Sequence, residues 1–109
     1  MHRLRVDGRE AVVANNGAAG MPNFAGTRFG LLTRIAAAPS SGQACVLHER
    51  VAGVHVEALR VEYDHERWLE RFLASWPPGS PAHASYHRRI VEGARHDPAL
   101  AAPRLAAAA

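Results

Sequence analysis

Several residue classes are scarce or missing in this chain of 109 residues. It has no lysine, so all 13 of its basic residues are arginines, and only 6% of its residues are aromatic. The one cysteine, Cys45, excludes an internal disulfide and fits a reducing compartment. No secretion-type apolar run follows the basic start, and no apolar run is long enough to cross a membrane. We therefore expect a cytoplasmic protein with no membrane partner.

The residues that are present predict one domain with a modest core. Hydrophobic residues make up 48% of the chain, but many of them are alanines, which bury little area. The formal net charge is +3, yet the arginines alternate with acidic residues and only Arg88 and Arg89 are adjacent. This dispersal favours a solvated surface of mixed charge over a nucleic-acid partner. Cys45 lies in an apolar run, which predicts a buried structural thiol.

Alternating apolar residues and turn signals predict a meander of about five β-strands over residues 2–62. Asp7-Gly8 and Ala52-Gly53 are typical of tight hairpin turns, because both central residues of such turns need positive φ. A loop rich in glycine over residues 15–27 separates the second strand from the third. The predicted strands are residues 2–6, 9–14, 29–36, 43–50 and 53–62.

Two helices are predicted after the strands, which gives an α/β fold class. The first covers residues 64–76 and begins at Asp64, a good N-cap, and Trp68, Phe72 and Trp76 form its apolar stripe. The second covers residues 81–92, with an N-cap serine and a proline at its first position. We expect residues 1–95 to form the folded part and residues 96–109, rich in alanine and proline, a flexible tail.

Three segments resemble the calcineurin-like metallophosphoesterases. Residues 12–20, with the sequence VVANNGAAG, are similar to the strand and Asn-x-Gly loop beside the two-metal centre of that family. His2, upstream of this loop, is similar to the last histidine of the family's Gly-His-x-His motif. Residues 56–64 are similar to its last strand, in which Tyr63-Asp64 opens the closing helix, and residues 79–86 to a C-terminal extension in a bacterial branch.

The resemblance implies a fold, a reaction and a cofactor. The fold would be part of a four-layer α-β-β-α sandwich, and the complete enzyme would hydrolyse phosphoesters with two divalent ions of the Mn, Fe or Zn type. The family's earlier motifs, Asp-x-His, Gly-Asp-x-x-Asp and Gly-Asn-His-Glu, do not occur in this sequence. We therefore expect a C-terminal fragment that is inactive alone and belongs with a missing N-terminal part.

The resemblance also assigns roles to individual residues. His2 would be a metal ligand, although an exposed terminal histidine is the simpler interpretation. The loop residues would line the substrate cleft, or would only serve a tight turn that needs glycine. Arg28 would bind phosphate, or would be a plain surface residue. No catalytic residue is assigned, and the predicted site consists of His2 as the metal ligand and of Asn15, Asn16, Gly17, Gly20 and Arg28 around the substrate.

A second hypothesis belongs to a different class of function. The chain would be a small interaction module without catalysis, which docks on a partner or on a second copy through its apolar helix face and strand edges. His83 and His87 lie four residues apart and would share a helix face, where they could bind a metal, although packing or a local hydrogen bond is the favoured use of His83. The other histidines show no partner in the sequence.

Overall fold

The structure is a computed structural model in which residues 1–42 and 44–96 are described. It confirms the α/β class, with five strands and two helices that match the predicted segments to within two residues at each end. The predicted tail lies outside the described residues, apart from residue 96. The elements in chain order are β1 (His2–Val6), β2 (Arg9–Val13), β3 (Gly30–Ala36), β4 (Cys45–Val51), β5 (Val54–Val61), α1 (His65–Ser75) and α2 (Pro81–Glu92).

The strands form two antiparallel sheets, and the prediction of a single meander is wrong. β1 pairs with β2, and the second sheet has the order β3-β5-β4, so β5 lies between two strands that precede it in the chain. In a meander, each strand would lie beside the next one. The connection over residues 37–44 is too long for a tight hairpin turn, so it leaves β4 free to lie away from β3.

Both predicted hairpin turns are confirmed by their backbone angles. Asp7 and Gly8 have φ values of 48° and 76°, and Ala52 and Gly53 have values of 49° and 78°. Positive φ at both central residues is typical of the type I′ turn, whose twist matches that of the flanking strands. The turns fix the registers, which begin with Val6 opposite Arg9 and with Val51 opposite Val54.

The described residues divide into two compact units. The β unit comprises residues 1–16 and 32–60, and the helical unit comprises residues 17–31 and 61–96. In the β unit, the core is a cluster of Met1, Val56 and Ala58. Partly buried apolar side chains pack around this cluster, namely Val12, Ala14, Leu47 and Val51.

The prediction of a buried thiol is wrong, because Cys45 is exposed. The pairing of β4 with β5 shifts between Cys45, which lies opposite Leu59, and Leu47, which lies opposite Ala58. Such a β-bulge places an extra residue in one strand. Cys45 and Leu47, two positions apart, would otherwise share a face. The bulge therefore separates Cys45 from the face that packs into the core.

A buried carboxylate ties β3 and the following loop to β5. Glu57 is only 2% exposed, and its Oε2 accepts a hydrogen bond of 2.7 Å from Nη1 of Arg34. Its Oε1 accepts bonds of 3.0 Å from both the backbone N–H and the hydroxyl of Ser40. The Ser40 N–H, followed by the Arg34 and Ser40 side chains, lowers the pKa of Glu57 from 4.5 to about 2, against the opposing effect of burial.

The first β-hairpin is tied to the second by an arginine. Nη2 of Arg3 donates to Oε2 of Glu49 at 2.7 Å and to the carbonyl of Arg50 at 2.6 Å. Nη1 of the same guanidinium donates to Glu10 across the β1–β2 pair at 3.0 Å. One side chain of β1 therefore bonds to groups on both β2 and β4.

In the helical unit, α1 and α2 begin at the predicted caps. Asp64 accepts a hydrogen bond of 3.0 Å from the N–H of Arg67, and Ser80 accepts one of 3.3 Å from the N–H of His83. The predicted core stripe of α1 is confirmed at Phe72, which is buried, but Trp76 is 49% exposed and does not belong to the core. Trp76 caps the C-terminus of the helix, where its own N–H bonds back to the carbonyl of Phe72.

The buried Glu57 carboxylate predicts a specific sensitivity to acid. Because the folded pKa is lower than the unfolded one, the unfolded chain binds more protons between pH 4.5 and about 2, and stability falls as the pH drops through this range. Glu57→Gln should be less stable at neutral pH, and its stability should fall less over this range than that of the parent protein. Urea midpoints at pH values of about 6, 4.5 and 2.5 measure the effect.

Glu70→Gln, which changes an exposed carboxylate on α1, is the matched control. It should retain the full acid dependence of the parent protein. If Glu57→Gln and Glu70→Gln lose stability in parallel as the pH falls, the Glu57 network is not the source of the acid sensitivity.

Candidate functional site

His2 lies at the open end of the first β-hairpin. It begins β1 and is paired with Val13, the last residue of β2, and its side chain is exposed. Asn15 follows Val13 by two positions, so the loop that carries the predicted substrate residues leaves the sheet beside His2. The register thus brings His2 and the start of the loop to the same end of the β unit.

Asn15 and Asn16 are exposed at this end of the hairpin. The hydroxyl of Thr33 on β3 donates to Oδ1 of Asn16 at 3.3 Å. This contact ties the start of the loop to the β3 strand, within the β unit. The side-chain oxygen of Asn16 is therefore occupied by a structural hydrogen bond.

Gly17 and Gly20 belong to the helical unit, where each lies against a side chain. Both have positive φ, 72° and 79°. A Cβ on Gly17 would overlap the amide group of Asn23, and one on Gly20 would lie 2.7 Å from the ring of Trp68. The indole Nε1 of Trp68 donates to the carbonyl of Gly20 at 2.8 Å. Close packing and turn geometry thus account for both glycines without a ligand.

Arg28 lies near the first turn of α1. Its guanidinium is 3.9 Å from Oε1 of Glu66, and both side chains are mostly exposed, 63% and 84%. A surface pair of this kind contributes little to stability and leaves the guanidinium able to turn toward another anion. The assignment of Arg28 to phosphate binding stays a prediction.

His2, the predicted metal ligand, has no group of further ligands around it among the described residues. Within residues 1–42 and 44–96, no three histidine, cysteine or acidic side chains are grouped so that they could hold a metal ion. A hydrolytic metal site uses three or more protein ligands and keeps one position open. The described residues of this chain therefore do not fit a two-metal centre on their own, and His2 could supply only one ligand of it.

The sequence predicted no partner for His48 or His55, yet the structure pairs them, whereas His83 and His87 were predicted to share a helix face. Nε2 of His48 and Nδ1 of His55 are 2.9 Å apart, and their rings are nearly parallel. On α2, the rings of His83 and His87 stack with centroids 4.4 Å apart. The signal for the first pair was available, because the Ala52-Gly53 turn fixes the register that sets His48 diagonally across from His55.

A third histidine has a structural role. His65, the first residue of α1, is buried, and its Nε2 lies 2.6 Å from the carbonyl oxygen of Ile90 on α2. Since a carbonyl only accepts, Nε2 carries the proton. Ile90 is itself 1% exposed, so this bond lies in the packed interior of the helical unit.

Cys45 and Tyr63 each carry a side-chain group that could react. Desolvation, with a smaller effect of the Glu57 carboxylate, raises the pKa of the Cys45 thiol, so that Cys45 lacks the lowered pKa of an activated nucleophile. The hydroxyl of Tyr63 is buried without a hydrogen-bond partner among the described residues, and desolvation raises its pKa. Neither group lies in a recognisable catalytic arrangement.

Comparisons with known proteins complete the description of the site. No protein family model, no curated protein and no solved structure matches this chain. Among the helices that the structure describes, none is long and apolar enough to pass through a bilayer.

Because Trp68 packs against Gly20, we expect one added methyl group at position 20 to lower the free energy of unfolding strongly. Gly20→Ala should lower the free energy of unfolding by roughly 2–3 kcal/mol, because positive φ and the clash with the indole act together. Gly26→Ala is the matched control, since Gly26 has a φ of 71° and open space around its Cβ position. It should cost only about 1 kcal/mol, from the backbone alone.

Urea unfolding of both variants tests this explanation of the loop. Equal losses for the two variants would mean that the indole does not restrict position 20, and the structural account of Gly20 would then fail.

Proposed function

We propose that this chain is the C-terminal part of a calcineurin-like metallophosphoesterase, a hydrolase that acts on phosphoesters. The observation that carries the proposal is the position of His2 at the hairpin end from which the loop of residues 15–27 departs. This is the relation that the family resemblance requires between its last histidine ligand and its Asn-x-Gly loop. The order of strands followed by two helices agrees with the same resemblance.

The proposal extends to the four-layer sandwich. On the β1–β2 hairpin, Leu4 and Val6 of β1 and Val13 of β2 share one face, and they are 36%, 51% and 53% exposed. Val12 lies on the other face and packs against the core of the β unit. The exposed apolar face is a surface that a further layer of the complete domain would cover.

The residues of this chain would have limited roles in the complete enzyme. His2 would provide one imidazole ligand, and the bound divalent ions would supply the activated water. Asn15, Asn16, Gly17 and Gly20 would shape one wall of the cleft, and Arg28 would neutralise part of the phosphate charge. Further ligands would come from the missing N-terminal part of the enzyme.

A second candidate function is supported by the same exposed face. A small interaction module would use Leu4, Val6 and Val13 to dock on a partner or on a second copy. This candidate needs no metal and no missing segment. It differs from the first in two expected properties. The module would form an oligomer, and its Tm would not change with Mn²⁺.

Activity of the purified chain provides the first test. We expect no turnover of a generic aryl phosphate with Mn²⁺ present, because the chain supplies one ligand of a site that needs several. Turnover that His2→Ala abolishes would contradict the fragment hypothesis, since the chain would then hold a working centre. His96→Ala, at an exposed histidine, is the control variant.

Thermal melts and size-exclusion chromatography separate the two candidates. A rise in Tm with Mn²⁺ that is lost in His2→Ala supports a retained part of the metal site. A stable oligomer whose Tm does not change with Mn²⁺, and which dissociates in the Val6→Glu variant, supports the interaction module instead. The genomic sequence before Met1 adds an independent check, since Gly-His and the earlier Asp and His motifs in frame would support the fragment.

A further inference from the structure

We propose that His48 and His55 form a two-histidine chelate for a late first-row transition metal ion such as Zn²⁺. The site is independent of His2, of the loop and of the proposed phosphoesterase function. It lies on the β4–β5 hairpin of the β unit and uses Nε2 of the first ring and Nδ1 of the second. Their separation of 2.9 Å is the observation that carries the proposal.

The separation of the two nitrogens is close to that in a metal chelate. Two imidazole nitrogens bound to one Zn²⁺ at about 2.1 Å, with an angle between 90° and 110°, lie roughly 3.0–3.4 Å apart. The rings are almost parallel, with an angle of 8° between their planes. The two nitrogens face each other in the free protein, so each ring must turn about its side-chain torsions until both lone pairs point at one ion, and the exposure of the pair to solvent leaves room for this turn.

The backbone holds the two rings in place before any metal binds. The type I′ turn at Ala52 and Gly53 sets His48 opposite Glu57, and His55 opposite Arg50. The two histidines are therefore diagonal neighbours on one face of the sheet, within reach of each other's long side chains. A chelate on two paired strands loses less conformational freedom on binding than one on a loop.

The change in hydrogen bonding on metal binding is simple. In the free protein, one ring nitrogen of the pair donates an N–H hydrogen bond to the other. On metal binding, both nitrogens must present a lone pair, so that the bridging proton moves to the far nitrogen of its own ring. If both rings are neutral, no proton leaves the pair, and exposure of the pair to solvent allows this change of tautomer.

The charged residues beside the two histidines affect how tightly the pair would bind Zn²⁺. Arg50, across from His55, disfavours a cation, and the carboxylate of Glu57, across from His48, is already paired with Arg34. Among the described residues, no third histidine, cysteine or acidic side chain completes a closed site. The ion would therefore keep at least two positions for water, which is typical of an open site and not of a structural one.

The test uses the full chain with His2→Asn as background, so that the terminal histidine does not contribute. The probe is Zn²⁺ alone, added at slightly alkaline pH, because imidazole binds metal only in its neutral form. Calorimetry should show one ion bound per chain, and the Tm should rise with Zn²⁺. His48→Asn and His55→Asn should each weaken binding about tenfold or more.

A control pair and a spectroscopic measurement make the outcome decisive. The double variant His83→Asn and His87→Asn removes the other stacked histidines and should bind Zn²⁺ as the background protein does. Nitrogen NMR of the parent protein should show Zn²⁺-dependent shifts at Nε2 of His48 and at Nδ1 of His55, and this measurement does not require any variant to fold. Absence of these shifts overturns the proposal, as does binding that is lost only in the control pair.

A variant expected to strengthen binding also tests where the Zn²⁺ ion lies. Arg50→Gln removes the cation beside His55 and should strengthen Zn²⁺ binding roughly two- to fivefold, the range expected for an exposed charge pair. Unchanged or weaker binding would place the ion elsewhere. Because the His48–His55 site shares no residue with His2 or the loop, failure of the chelate leaves the phosphoesterase proposal as it was, and the reverse also holds.

Discussion

The C-terminal end of α2 is the point on which the helical unit depends. The last carbonyls of a helix have no partner within it and must find donors elsewhere. Here the carbonyl of Ile90 accepts from Nε2 of His65, and that of Glu92 accepts from the N–H of Gly26 at 2.7 Å. Gly93 then leaves the helix with a φ of 76°, and a Cβ at this position would overlap the carbonyl of Phe24. A histidine of α1 and the backbone of the loop thus complete one helix end.

This arrangement explains how the loop of residues 17–31, which is rich in small residues, is held in one conformation. Residues 17–31 contribute backbone groups and small residues, and the neighbouring helices contribute the large rings that pack on them, as Trp68 does on Gly20. Phe24 and Pro22, both buried, supply the apolar area of the loop itself. A structural purpose and a functional one are compatible here, since a loop with a fixed backbone can also present its N–H groups to an anion.

The β unit depends on a different kind of contact. Its apolar core is small, and the strands are also joined by charged groups, Arg34 with Glu57 and Arg3 with Glu49. The buried carboxylate of Glu57 receives three donors, which is the condition under which a buried charge is tolerated. Composition does not show which residues form such contacts, because each of the dispersed arginines could pair equally well with a given carboxylate.

The sequence by itself determined the elements and their turns. Positive φ at Asp7-Gly8 and the caps at Asp64 and Ser80 are local preferences of a few residues, and local chemistry is enough to predict them. Tertiary structure alone decided that β5 lies between β3 and β4 and that a bulge exposes Cys45. These outcomes depend on strand order and register, which arise from contacts between residues far apart in the chain, and no window of sequence contains both partners in their final geometry.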